Sequence, residues 1–157
     1  FSPSRSLYRK LKNNKVIDYY SSDFENEFLV DFKFDITNIK QRNETFDTII
    51  CFHVLEHIID DLKAMSELFR VLKKEGKVYI QTPFKDGDIY EDYTIESPEL
   101  RKIHFGQEDH VRIYSLSSLQ KRLKSVGFKL NVKTIINKEE NLTLGINFKE
   151  TILILTK

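Results

Sequence analysis

The sequence predicts an α/β layered fold on three observations. Helical and strand patterns alternate along the chain without repeats or low-complexity tracts. One strand, Thr48 to Phe52, is the continuous apolar run expected of a parallel strand covered on both faces. Finally, 40% of the 157 residues are hydrophobic, enough for one sizeable core, so residues 1–157 read as a single domain.

Ser2-Pro3-Ser4 offers a helix cap, and Leu7, Tyr8 and Leu11 recur at helical spacing until Asn13-Asn14 ends the pattern. Val16 to Tyr20 reads as a short strand, and Phe28 to Asp35, rich in Val and Phe, as another. After the Thr48–Phe52 run, Ile58, Leu62, Met65, Phe69 and Leu72 recur at three- and four-residue spacing. Asp60 and Asp61 stand at the positive end of that helix, and Lys73 and Lys74 at the negative end. Gly76 reads as its stop, and Lys77 to Thr82 as the strand that completes a right-handed crossover. From Phe84 to Gly106 the chain is polar and acidic, with room for a short helix near Pro98 to Ile103; long insertions of this kind often cover a site. A helix from Ser117 to Val126 ends at Gly127, and Phe128 to Ile136 and Glu150 to Thr156 close the chain as an antiparallel pair.

Composition narrows the partners. With 25 Lys+Arg against 24 Asp+Glu the formal charge is +1, which favours neither phosphate backbones nor anionic membranes. No nucleic acid is expected as a partner. No apolar stretch reaches the roughly 18 residues of a spanning helix, so no membrane insertion is expected and a cytoplasmic location is. The single cysteine, Cys51, excludes an internal disulfide framework and reads as core packing. The chain opens at Phe1 and its one methionine is Met65, so upstream residues are expected to be missing.

The segment Phe46-Asp47-Thr48-Ile49-Ile50-Cys51-Phe52-His53-Val54-Leu55-Glu56-His57 resembles the fourth-strand signature of class I S-adenosylmethionine-dependent methyltransferases, the type 11-like group in particular. The order of the later elements agrees with that family, down to Thr82-Pro83, Val126-Gly127-Phe128 and the terminal strand pair. The stretch from Phe105 to Arg112 resembles a bacterial branch of it, and Phe1-Ser2-Pro3-Ser4 looks like the remnant of its first loop. The resemblance implies a Rossmann-like, mostly parallel sheet with helices on both faces and an antiparallel C-terminal strand, the first strand and glycine loop being absent.

It also implies a site. Ligands of open parallel sheets sit beyond the carboxyl ends of the strands. On that pattern Ser2 would lie in the first loop, and Asp23 would accept from the ribose hydroxyls of S-adenosylmethionine. Asp35 would accept from the adenine amine, Ile36 would cover the ring, and His53 would face the methionine part. A turn aspartate or a helix cap is the structural alternative for both acids. Where the acceptor needs proton removal, His110 and His104 are the candidate bases, with Gln107 and Asp109 as orienting partners. A hydrogen-bonded network that merely pins the loop would use the same residues. Glu56 reads as bonded to backbone groups.

No metal site is expected: His53 and His57 at four-residue spacing lack further acidic or cysteine ligands of zinc-like pattern. The expected acceptor is a small molecule or a glycan-linked precursor. The alternative is a non-catalytic binding module that keeps the fold. An NAD-linked enzyme fits less well, because no Gly-x-Gly-x-x-Gly occurs.

Overall fold

A computed structural model describes residues 1–24, 30–136 and 149–157. The first helix, α1 (Arg5–Lys12), starts where the Ser4 hydroxyl accepts from Leu7 N, and it is followed by β1 (Ser22–Asp23) and β2 (Phe32–Lys33), a short parallel pair. Next come β3 (Phe46–Phe52), a 3-10 turn at Leu55–His57, α2 (Asp61–Val71) and β4 (Leu72–Gln81). The remainder comprises β5 (Tyr90–Glu91), α3 (Pro98–Phe105), β6 (Arg112–Ile113), α4 (Leu116–Val126), β7 (Lys129–Ile136) and β8 (Lys149–Thr156).

The main sheet has the order β3-β4-β8-β7. β4 runs parallel to β3, and β8 is antiparallel to both of its neighbours, so β3, β4 and β7 share one direction and β8 opposes them. The α/β class and the antiparallel C-terminal strand are as expected, whereas the sheet expected to be mostly parallel is mixed among the described residues, with β8 antiparallel to both neighbours. The core lies between the sheet and α2 and α4: Met65, Leu68, Val78, Ile80, Leu119, Leu123, Leu153 and Leu155 are all fully buried. Phe69 of α2 meets Phe128 edge to face at 5.0 Å, which closes α2 over the start of β7. Cys51 is buried in this core, and burial pushes its thiol up to about 12, as suits packing rather than reactivity.

Three expectations need correction or restriction. Val16 to Tyr20 is no strand: Val16 is 91% exposed in a turn, and the paired residues are Ser22 and Asp23. The pairing there is fastened by a side chain, since the Asp31 carboxylate accepts from Ser21 N and Ser21 Oγ, each at 2.9 Å. Of the expected strand Phe28 to Asp35, residues 28–29 lie outside the described residues, and β2 is confined to Phe32–Lys33. Gly76 does not stop α2. The helix ends at Val71, and Gly76 sits within β4, where the register slips between Phe46 opposite Leu72 and Thr48 opposite Lys77. A Cβ at Gly76 would stand 2.9 Å from Asp47 O and 2.7 Å from Leu72 Cδ1, so that position requires glycine because two strands approach closely there.

The chain between β2 and β3 is pinned to α2 by one ion pair. Glu67 Oε2 accepts from Ile39 N (2.9 Å) and from Arg70, while Arg70 also donates to Ile39 O, Gln41 O and Asn43 Oδ1. The Arg70 guanidinium holds the Glu67 carboxyl below its ordinary value of 4.5; partial burial opposes this, and the Ile39 N–H adds to it. A carboxyl depressed in the folded state contributes stability that is complete above the unfolded value and fades as pH falls through the folded one. Glu67→Gln is therefore expected to lower stability by about 1.5 kcal/mol at neutral pH. Thermal melts of the variant and the native protein should converge as pH falls below 4.5 and through the depressed folded-state value; an unchanged gap in acid would refute the ionic origin.

Candidate active site

The carboxyl ends of β1 and β3 are joined through the first two residues. The Phe1 backbone nitrogen donates to Ile50 O of β3 (2.8 Å), and Ser2 N donates to Ser22 O of β1 (2.8 Å). Ser2 Oγ then donates to Asp23 Oδ1 (2.9 Å), an oxygen that also accepts from Phe24 N (2.8 Å). Asp35 follows β2, the strand beside β1. Its Oδ1 accepts from Thr37 N (2.8 Å) and Thr37 Oγ1 (2.7 Å), and it stands exposed. Ile36, expected over an adenine ring, is 4% exposed and packs in the core beside Phe34 and Ile39, because the chain turns inward after Asp35.

His53 continues the ladder beyond β3 by donating its N–H to Gln81 O (2.9 Å). Its φ of 54° then turns the chain sharply, and its ring is 56% exposed. Among the described residues three non-glycines have positive φ, and two of them are Ser2, bonded to Asp23, and His53, just beyond β3; backbone strain of this kind gathers at functional sites. His53 Nδ1 lies 3.4 Å from Glu56 Oε1, and that carboxylate raises the imidazole above its ordinary 6.5 against the opposing effect of burial.

Behind His53 lies a second group of polar residues. Glu56 is 1% exposed, and neither carboxylate oxygen has a hydrogen-bond partner, nor has the buried Thr82 hydroxyl. This corrects the expectation that Glu56 bonds to backbone groups with its side chain; it is the Glu56 carbonyl that accepts, from Val111 N (2.9 Å). Burial pushes the Glu56 carboxyl up, but His53, the local N–H and hydroxyl dipoles and His57 outweigh it, and the net direction is down. The Val111 bond brings His110 against His57, the rings meeting edge to face at 4.6 Å. Burial lowers the pKa of His110, His57 lowers it further, and its Nδ1 lies 3.1 Å from Phe105 O. A cavity of about 60 Å³ opens among Glu56, Pro83, Phe105, His110, Arg112 and Ile113.

The expected histidine cluster is divided. His104 stands apart from His110, exposed on α3 with its Nδ1 2.6 Å from the Tyr90 hydroxyl, and Gln107 is exposed. Asp109 pairs with His57 (2.9 Å) rather than with His104 or His110. Glu56 and His57 are thus the residues that sequence reasoning did not assign to the site. Both close the segment Phe46 to His57 that carries the family resemblance, but nothing in sequence shows that a carboxylate is buried. The larger depression, about 440 Å³, lies at the amino end of β3 among Glu44, Asp47, Lys73, Lys74, Glu75 and Gly76, the wrong end of a parallel strand for a ligand.

Residues 4–133 match a family model described as a methyltransferase domain. The chain belongs to that family. A solved S-adenosylmethionine-dependent methyltransferase from Archaeoglobus fulgidus superposes with a TM-score of 0.65 over 98% of this chain and 82% of that one, at 16% identity, a likeness of fold alone. Among curated proteins, an uncharacterised protein of Methanocaldococcus jannaschii is 32% identical over 87 residues, 53% of this chain and 38% of that protein. A tRNA U34 carboxymethyltransferase of Campylobacter hominis is 40% identical over 53 residues, 34% of this chain and 19% of that protein. The methyltransferase-domain chain therefore spans well under half the length of these curated relatives. Among the described residues no helix is long and apolar enough to cross a membrane.

Proposed function

We propose that this methyltransferase domain binds S-adenosylmethionine at the carboxyl ends of β1, β2 and β3 and moves its methyl group to a small-molecule or glycan-linked acceptor. One observation carries the reading: Ser2 bonds to Ser22 O and Asp23 at β1 while the adjoining Phe1 bonds to Ile50 O of β3, which ties the segment beside Asp23 to the strand that leads into His53. The residues present suit an adenosyl group. Asp23 offers a carboxylate, an acceptor-only group fitted to a pair of hydroxyls, and Asp35 offers a second for an exocyclic amine. Ser2 orients Asp23, and the side chain of His53 reaches outward where the amino-acid part would lie. Ile36 contributes from below, by fixing the turn after β2, rather than by lying over the base.

When bound, S-adenosylmethionine supplies an electrophilic methyl group on a sulfonium, whose in-line displacement depends chiefly on alignment and exclusion of water. The chain's part is to hold donor and acceptor in line. His110, its pKa lowered by burial, is neutral near pH 7 and suits receipt of a proton from an oxygen or nitrogen acceptor, whereas the exposed His104 and Gln107 suit contact with the acceptor's outer part. A tRNA acceptor is the second reading, since the Campylobacter relative is named for one; the near-neutral charge of this chain favours the first.

Titration calorimetry with S-adenosylhomocysteine tests the donor site. One equivalent should bind with a dissociation constant in the micromolar range. No heat at millimolar ligand, from protein that melts cooperatively, would overturn the reading.

A further inference from the structure

We propose that Glu56, His57 and His110 form a binding site for a divalent transition-metal cation, with zinc the best match to the donors. One ligand atom from each residue lies within 4.8 Å of the others. Glu56 and His110 are 1% and 4% exposed, and both Glu56 oxygens are without a hydrogen-bond partner. Glu56 is a buried carboxylate whose neighbouring donors, His53, its own N–H and Thr82, fall short of full hydrogen-bond geometry, and it stands beside a cavity of about 60 Å³ lined also by Pro83, Phe105, His110, Arg112 and Ile113. A cation there would compensate the charge and occupy both lone-pair sets.

The two imidazoles are set up as ligands rather than as acids. His57 directs Nδ1 to Asp109 Oδ2 at 2.9 Å, and His110 directs Nδ1 to Phe105 O at 3.1 Å. Each acceptor calls for a proton on Nδ1, which leaves the Nε2 lone pair of each ring to give. A carboxylate or a backbone carbonyl behind a ligating histidine is the usual second layer of a metal site. Two imidazoles and one carboxylate suit zinc, manganese or ferrous iron, whereas magnesium and calcium prefer oxygen throughout. Ligand atoms on one tetrahedral zinc stand about 3.3 Å apart, so small rotations of these side chains close the site. Three protein ligands leave a position open towards Pro83, Phe105 and Ile113 for water or a small oxygen ligand.

The rival partner for Glu56 is the imidazolium of His53, at 3.4 Å. That contact is longer than an ordinary hydrogen bond, and the His53 ring is 56% exposed.

The site shares His110 with the methyl-transfer reading, where a bound cation would take the ring nitrogen otherwise free for a proton, but it is tested without any methyl donor. Protein stripped with chelator is titrated with zinc by calorimetry, and with cobalt while its visible d–d absorption is followed. One equivalent of each should bind, zinc at micromolar affinity or tighter. Asp109→Asn, an exposed change that spares the fold, should weaken zinc about 10-fold, and Glu56→Gln by at least about 100-fold while melting no lower than the metal-free native protein. Absence of stoichiometric binding overturns the site. So does binding that neither substitution changes, which would mark an adventitious surface histidine.

Discussion

Arg112→Met is expected to destabilise the protein by about 3–5 kcal/mol. The Arg112 side chain is fully buried. Its Nε donates to Glu91 Oε2 (3.0 Å), and its two terminal nitrogens donate to Leu55 O (3.2 Å), Ile58 O, Ile59 O (2.8 Å) and the Tyr93 hydroxyl (3.2 Å). Methionine matches the length but offers no donor. The carbonyls of Ile58 and Ile59 in the turn after β3 would lose their donor, and Glu91 and Asp61 would keep only Arg122 as a cationic partner in this network. For a chain of this size, a loss of that magnitude lowers the melting temperature by roughly 10 °C. Calorimetric melts of both proteins at neutral pH would show it, and a shift within about 2 °C would mean that water satisfies those carbonyls.

The same network has a functional consequence. The carbonyls that Arg112 holds, at Leu55, Ile58 and Ile59, flank Glu56 and His57. Tyr114, beneath, donates to Asp61 at 2.5 Å, and Arg122 of α4 reaches the same carboxylate and Glu91 of β5. The polar segment between β4 and α4 is therefore fastened over the ends of the strands by ion pairs. The short β5-β6 pair and one bridge from Phe84 to Tyr114 add backbone bonds to that fastening.

The force that sets each element decides how legible it is in the sequence. The run Thr48 to Phe52, the stripe from Met65 to Phe69 and the closing pair are readable because their burial leaves a periodic apolar trace. Ser22 and Asp23 leave none: both residues are polar, and their pairing depends on Asp31, whose carboxylate binds Ser21. Val16 to Tyr20 carries the β-branched pattern but finds no partner strand. Leu72 is fully buried and continues the helical spacing, so periodicity alone does not show that the helix has already ended at Val71. The buried charges are least legible. Asp61 reads as a helix-end charge and Glu56 as a backbone-bonding acid, and only the fold, by carrying Arg112, Tyr114, Arg122 and His110 to them, shows that both are interior. His53 does lie just beyond a strand, as expected, whereas the strand expected ahead of Asp23 is displaced along the chain and includes Asp23 itself.

The second large effect concerns the donor site. Asp23→Ala should weaken S-adenosylhomocysteine binding about 100-fold, because two charge-assisted hydrogen bonds are each worth about 1.5–3 kcal/mol and 1.4 kcal/mol is a factor of ten. Part of the carboxylate is already engaged, with Oδ1 accepting from Ser2 Oγ and Phe24 N, so the substitution also releases Ser2 from its orientation. Asp23→Asn separates the two contributions: it keeps the shape and one acceptor oxygen, and should cost roughly 10-fold. Asp35→Ala should also cost about 10-fold, for it removes one acceptor from a single amine, and its Oδ1 is already committed to Thr37. Melting temperatures provide the control, since Asp23 joins no buried ion pair among the described residues and its loss should leave the fold within a few degrees of native. If Asp23→Ala bound the ligand as tightly as native protein while Asp35→Ala did not, the ribose would lie elsewhere. Loss in neither variant would remove the adenosyl group from the ends of β1 and β2 altogether.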